Sequence, residues 1–86
     1  GEGRQTDFTV DSKARWMEEA VEIRIRNHKS RPIQVQVREP LYRWSGWKIV
    51  NTSQPYVKDS AQQVHFDVDV APDAEAVVRY RVRYGW

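Results

Sequence analysis

Cysteine is absent from this chain of 86 residues. That excludes a disulfide framework and thiolate zinc sites, and it leaves the redox compartment open. An excess of one charge is missing too: 14 Lys and Arg stand against 12 Asp and Glu, and a formal +2 does not by itself imply a polyanionic partner. Histidine is scarce, with His28 in a turn and His65 on an outward strand face, too few for a metal site without thiolates. No apolar run comes near the ~20 residues of a membrane-spanning helix, and no signal-peptide pattern opens the chain. Catalytic patterns are lacking as well: serines sit in loops but none in a nucleophile elbow, and no nucleotide-binding motif stands out. The reading is a non-enzyme with no catalytic residues, no metal, no cofactor and no membrane insertion by this domain.

What the chain does have is alternation. Residues 21–26, 33–38, 64–70 and 76–84 each alternate apolar with polar side chains, which puts one face of a strand in a core and the other in water. Weaker alternation at Thr6, Phe8 and Val10 suggests a first strand over 4–10. Residues 47–50 read as a strand after the Ser45-Gly46 turn, and 56–58 as a short edge strand. The stretch 11–20 is ambiguous between a short capped helix and a connection that enters a strand near Met17; the connection is favoured because no Glu or Gln completes a capping box. About seven strands with turn signals between them predict an all-β, immunoglobulin-like antiparallel β-sandwich. Residues 1–86 form one domain. The start at Gly1 without Met and the stop at Trp86, directly after a patterned strand, mark it as the C-terminal domain of a longer protein.

Two hairpins are expected. The first turns at 27–32, where Asn27 tolerates left-handed geometry and Pro32 fixes the exit, so that Ile25 faces Val35, Ile23 faces Val37, and Glu22 meets Arg38 on the opposite face. The second turns at 71–75 and brings Asp67 and Asp69 beside Arg79 and Arg81. The expected core comprises Val21, Ile23 and Ile25, then Ile33, Val35 and Val37, then Trp47 and Ile49, then Val64, Phe66 and Val68, and finally Val78, Tyr80 and Val82.

The run 22–29, the segment 37–41, Trp47 with Ile49, Pro55-Tyr56, the strand 64–70 and the closing 80–86 together resemble the C-terminal β-domain of the bacterial mucoidy inhibitor A-like family, whose function is unknown. The resemblance covers 6–86. It implies an immunoglobulin-like sandwich ending a longer envelope-associated or periplasmic protein, with no enzymatic chemistry assigned to this part. The turn at 71–74 lacks the glycine such proteins often carry, and Trp44 looks like an addition.

Among individual residues, Glu39 is in phase with Ile33, Val35 and Val37. It is either an inward carboxylate with a raised pKa or a rim residue at the strand end marked by Pro40. Arg79, Arg81 and Arg83, extended by Arg24 and Arg26, form a basic line. Tyr80 and Tyr84 alternate with these arginines and so face the core, which leaves no ring to stack on bases; the line reads as a solvated face and not as a nucleic-acid interface. Trp47 reads as core, whereas Tyr42, Arg43 and Trp44 with Trp86 form the candidate ligand-binding set. The function this supports is a structural or protein-interaction module whose partner is another protein or another domain of the same chain. The alternative is a carbohydrate-binding module working through the loop aromatics near Trp44.

Overall fold

The computed structural model describes residues 2–41 and 46–86; Tyr42, Arg43 and Trp44 fall outside the described residues. The strands are β1 (Glu2–Asp11), β2 (Trp16–Arg26), β3 (Ile33–Pro40), β4 (Gly46–Thr52), β5 (Val57–Ser60), β6 (Gln63–Val70) and β7 (Glu75–Gly85), and no helix occurs among the described residues. All pairings are antiparallel, in a four-stranded sheet of order β1-β2-β7-β4 and a three-stranded sheet of order β3-β6-β5. The ambiguous stretch is a turn followed by the start of β2. Asp11 Oδ1 accepts the Ala14 amide at 3.0 Å, and Arg15 takes the left-handed conformation at φ 59°.

Neither expected hairpin forms. Strand β2 pairs with β7, so Ile25 lies opposite Ala76 and Ile23 opposite Val78, while β3 pairs with β6, so Val35 lies opposite Val68 and Val37 opposite Phe66. The segments 27–32 and 71–74 therefore each carry the chain from one sheet to the other. Glu22 sits opposite Arg79 and not Arg38, and Asp67 and Asp69 sit opposite Gln36 and Gln34, in the sheet that lacks the arginine line. Alternation specifies which face of a strand is buried, and a crossing connection preserves that alternation as well as a hairpin does.

Asn27 holds the two crossings together. Its side-chain amide donates to the carbonyls of Arg31 (2.7 Å), Val70 (3.2 Å) and Ala71 (3.2 Å), its Oδ1 accepts the Lys29 amide (2.9 Å), and its own amide donates to Ala74 (2.9 Å). The residue is 1% exposed. Its value lies in the amide group: its backbone is outside the left-handed region, which at this end is occupied by Asp73 at φ 53°.

One buried cluster draws on both sheets. Ile23, Ile25, Val78, Tyr80, Val82 and Tyr84 come from β2 and β7, and Val64, Phe66, Val68 and Val70 from β6, with Leu41 just after β3. The Phe66 and Tyr80 rings stack at 5.5 Å. Val21, Ile33, Val35, Val37, Trp47 and Ile49 pack against this cluster but are only partly buried. Leu41 and Val70 join the core beyond the expected set, and Tyr84 is buried as its alternation with the arginines implies.

Candidate functional site

The outward face of the four-stranded sheet is a lattice of ion pairs. Arg81 binds Glu18 Oε1 at 3.0 Å and also Asp7; Arg83 Nε donates to Glu18 Oε2 at 2.6 Å; Arg79 and Arg24 bind Glu22 at 3.1 and 2.8 Å. Arg24 reaches Glu75 as well, at 2.8 Å, and the Arg83 guanidinium lies 4.2 Å from the centre of the Trp16 ring. Glu18 and Glu22 are only 8% and 7% exposed although their phase points outward, because the arginine side chains lie over them. Burial pushes both carboxyls up, but the hydrogen bonds from Arg83 and Arg81 to Glu18, and from Arg79 and Arg24 to Glu22, outweigh it and hold both below the usual carboxylate range. Arg79, Arg81, Arg83 and Arg24 are paired with Glu18, Glu22, Asp7 and Glu75 in place of Asp67 and Asp69.

A second feature lies between β1 and β2 of one sheet and β3 of the other. Two adjoining depressions of about 270 and about 250 Å³ share Gly3 and Glu39. Ile23, Ile25, Val35 and Val37 line the first; Glu19, Val21 and Tyr80 are among those lining the second. The Tyr80 hydroxyl donates to Glu39 Oε1 at 2.9 Å. Burial raises the Glu39 carboxyl, the Tyr80 hydrogen bond opposes that rise, and the Glu19 carboxylate adds to it. Burial and the facing Glu39 carboxylate push the Tyr80 phenol far up, so it stays a hydrogen-bond donor throughout the physiological range. Both sequence readings of Glu39 therefore hold in part: it is at the strand end, and it is an inward carboxylate with a raised pKa. The result is a trough that is mainly apolar along Ile23, Ile25, Val35 and Val37 and becomes polar from Glu39 onward, where Arg4, Gln5 and Glu19 join the lining.

A third depression, of about 320 Å³, lies beside Asn51, Thr52, Arg79 and Arg81, whose arginines are committed to Glu22, Glu18 and Asp7. His65 Nδ1 lies 2.6 Å from Asp59 Oδ1, and Gln63 and His65 together hold the Asp59 carboxyl low against a smaller opposing effect of burial. No group of residues able to hold a metal ion occurs among the described residues. No described helix is long and apolar enough to cross a membrane.

Of the candidate ligand-binding set, only Trp86 can be placed. It is exposed, and its amide donates to the Arg15 carbonyl at 3.0 Å. Trp47 is partly buried, with its indole N–H on the Ala61 carbonyl at 2.6 Å and the Lys58 ammonium 5.4 Å from its ring centre. Sequence reasoning singled out Glu39 but missed the trough around it, because the trough depends on β3 lying in a different sheet from β2. Comparison with family models, with curated proteins and with solved structures finds no match in any of the three.

Proposed function

We propose that this domain is a non-catalytic protein-interaction module with an immunoglobulin-like sandwich fold, built to bind a protein partner or another part of its own chain. The observation that carries the reading is the trough between β1 and β3, where Val35 and Val37 remain only partly covered while the facing β6 residues are buried. Partly covered apolar side chains around a carboxylate suit a protein ligand with an apolar face and a positive end. The sandwich reading rests on the buried cluster shared by the two sheets and on the Phe66–Tyr80 stack. The place of the domain at the end of a longer bacterial envelope protein rests on the resemblance to the mucoidy inhibitor A-like β-domain. The arginine lattice argues against nucleic acid, since its cations already have carboxylate partners.

A carbohydrate-binding role is the second reading, favoured by the exposed ring of Trp86 and by the tyrosine and tryptophan at 42 and 44. The two are separated by selecting a displayed random-peptide library on the intact domain while titrating soluble peptidoglycan fragments against tryptophan fluorescence. Enriched peptides that shift trough resonances, with fluorescence unmoved by glycan, are expected. Saturable fluorescence change with glycan and no peptide enrichment would reverse the order of the readings.

A further inference from the structure

Each sheet has two edge strands, β1 and β4 in one and β3 and β5 in the other. Three of these edges are broken by an extra residue. Thr6 interrupts β1, Val50 interrupts β4 and Asp59 interrupts β5, each where the pairing register shifts. Such bulges twist an edge away from further pairing. Strand β3 has none. Its eight residues pair with β6 in unbroken register from Ile33↔Val70 to Pro40↔Gln63, and its other side has no strand partner among the described residues. Among the described residues β3 is the one edge in unbroken register, and it borders the trough opposite β1.

We infer that β3 binds an extended peptide segment, which joins the three-stranded sheet as an antiparallel fourth strand, with Lys or Arg opposite Glu39 and apolar residues opposite Val37, Val35 and Ile33. The inference rests on the protein-interaction reading and names its ligand. Alternate side chains of an added strand point the same way as their neighbours in β3, so every second residue enters the trough. Gly3 leaves room there: a Cβ at that position would meet only Ile23 Cγ1, at 3.8 Å. The Glu39 and Glu19 carboxylates at one end of the trough attract a cation. On the outward side, Arg38 favours an acidic residue opposite it. Read from N to C the ligand is basic, acidic, apolar, any, apolar, any, apolar.

A second copy of the chain fits worse. Antiparallel self-pairing about a twofold axis sets inward residues opposite inward ones, so Glu39 would meet Ile33, Val35, Val37 or the other Glu39. Arg38 points outward and never reaches it. Self-pairing therefore leaves the carboxylate facing apolar side chains, whereas a foreign segment supplies its cation.

The test uses the intact domain and a capped synthetic peptide, Lys-Glu-Val-Thr-Val-Thr-Val, followed by titration and by chemical shifts. The expected result has four parts. Shifts centre on β3 and the trough. A peptide with its alternation moved by one residue loses binding. Backbone N-methylation in one alternate phase abolishes binding while the other phase is tolerated. Replacing the peptide lysine by glutamine weakens binding about tenfold, and that preference shrinks in Glu39→Gln. The N-methyl series needs no change to the domain, so a folding defect in the variant cannot mask the outcome. Binding indifferent to both N-methyl phases, no binding at about 1 mM, or concentration-dependent dimerisation that occupies β3 would overturn the inference. Library peptides that bind only elsewhere would overturn it too, while leaving the protein-interaction reading in place.

Discussion

The Tyr80 hydroxyl of β7 donates to Glu39 Oε1 of β3 at 2.9 Å, a hydrogen bond that spans the two sheets at the end of the trough. It fastens edge strand β3 to β7, an interior strand of the other sheet. A carboxylate half-buried at that point is tolerated because one oxygen is satisfied by a donor that does not ionise.

Tyr80→Phe is expected to cost about 1–2 kcal/mol at neutral pH, since the Glu39 carboxylate loses its donor. Glu39→Gln keeps an acceptor for Tyr80 and removes the charge. Because the folded-state pKa of Glu39 is raised above its ordinary 4.5, its ionisation lowers stability as pH rises through and above that value. The variant should therefore melt higher than the parent at pH 7 and equal to it well below pH 4.5. Melting curves at several pH values check both.

Glu18 and Glu22 have the opposite sign. Their folded-state values are depressed, so the stability they contribute is present above the ordinary 4.5 and is lost as pH falls through the depressed values. Glu18→Gln should flatten the acid limb of stability against pH, and added salt should weaken the parent more than the variant. Urea midpoints between acid and neutral pH, at low and high salt, provide the readout.

Asn27→Ala strips three carbonyls and one amide of a partner at the buried junction of the two crossings. A loss of about 2–3 kcal/mol is expected, with little change at the far end of the molecule. Asn27→Asp should not rescue, because a carboxylate accepts the Lys29 amide but donates to none of the carbonyls. Denaturant midpoints of the two variants decide the point.

Cross-strand proton contacts test the sheet assignment. Close backbone contacts are expected between β2 and β7, around the Ile23↔Val78 and Val21↔Tyr80 pairs. None should link Ile25 to Val35. A regular ladder of contacts between β2 and β3 would restore the hairpin and remove the trough.

The strands themselves were legible because period-two alternation is a local property: residues 33–38 and 64–70 announce their buried face without reference to any partner. Pairing was not legible. The Glu22–Arg38 match that seemed to select a register is a coincidence of composition, since β2 is a central strand whose Glu22 is shared by Arg79, Arg24 and Arg4. Short connections such as 27–32 reach another sheet as readily as they close a hairpin, and the crossing is marked by bonds far apart in sequence, the Asn27 side-chain amide to carbonyls 43 and 44 residues away and the Asp73 amide to the Lys29 carbonyl. The expected placement of Asp67 and Asp69 beside Arg79 and Arg81 does not occur, and Glu22, Glu18 and Asp7 pair with those arginines. Glu39 stood out by phase alone, whereas the open edge beside it emerges only when bulges are compared among all four edges. Tyr42, Arg43 and Trp44 fall outside the described residues, so the aromatic set has only Trp86 placed.

Amide hydrogen exchange along β3 tests most directly whether this domain presents an open strand. With one side paired to β6 and the other free, every second amide between Ile33 and Glu39 should exchange rapidly while its neighbours stay protected. The rapid set should become protected when the Lys-Glu-Val-Thr-Val-Thr-Val peptide is added. Uniform protection along β3 in the isolated domain, with no alternation and no response to the peptide, would contradict the account.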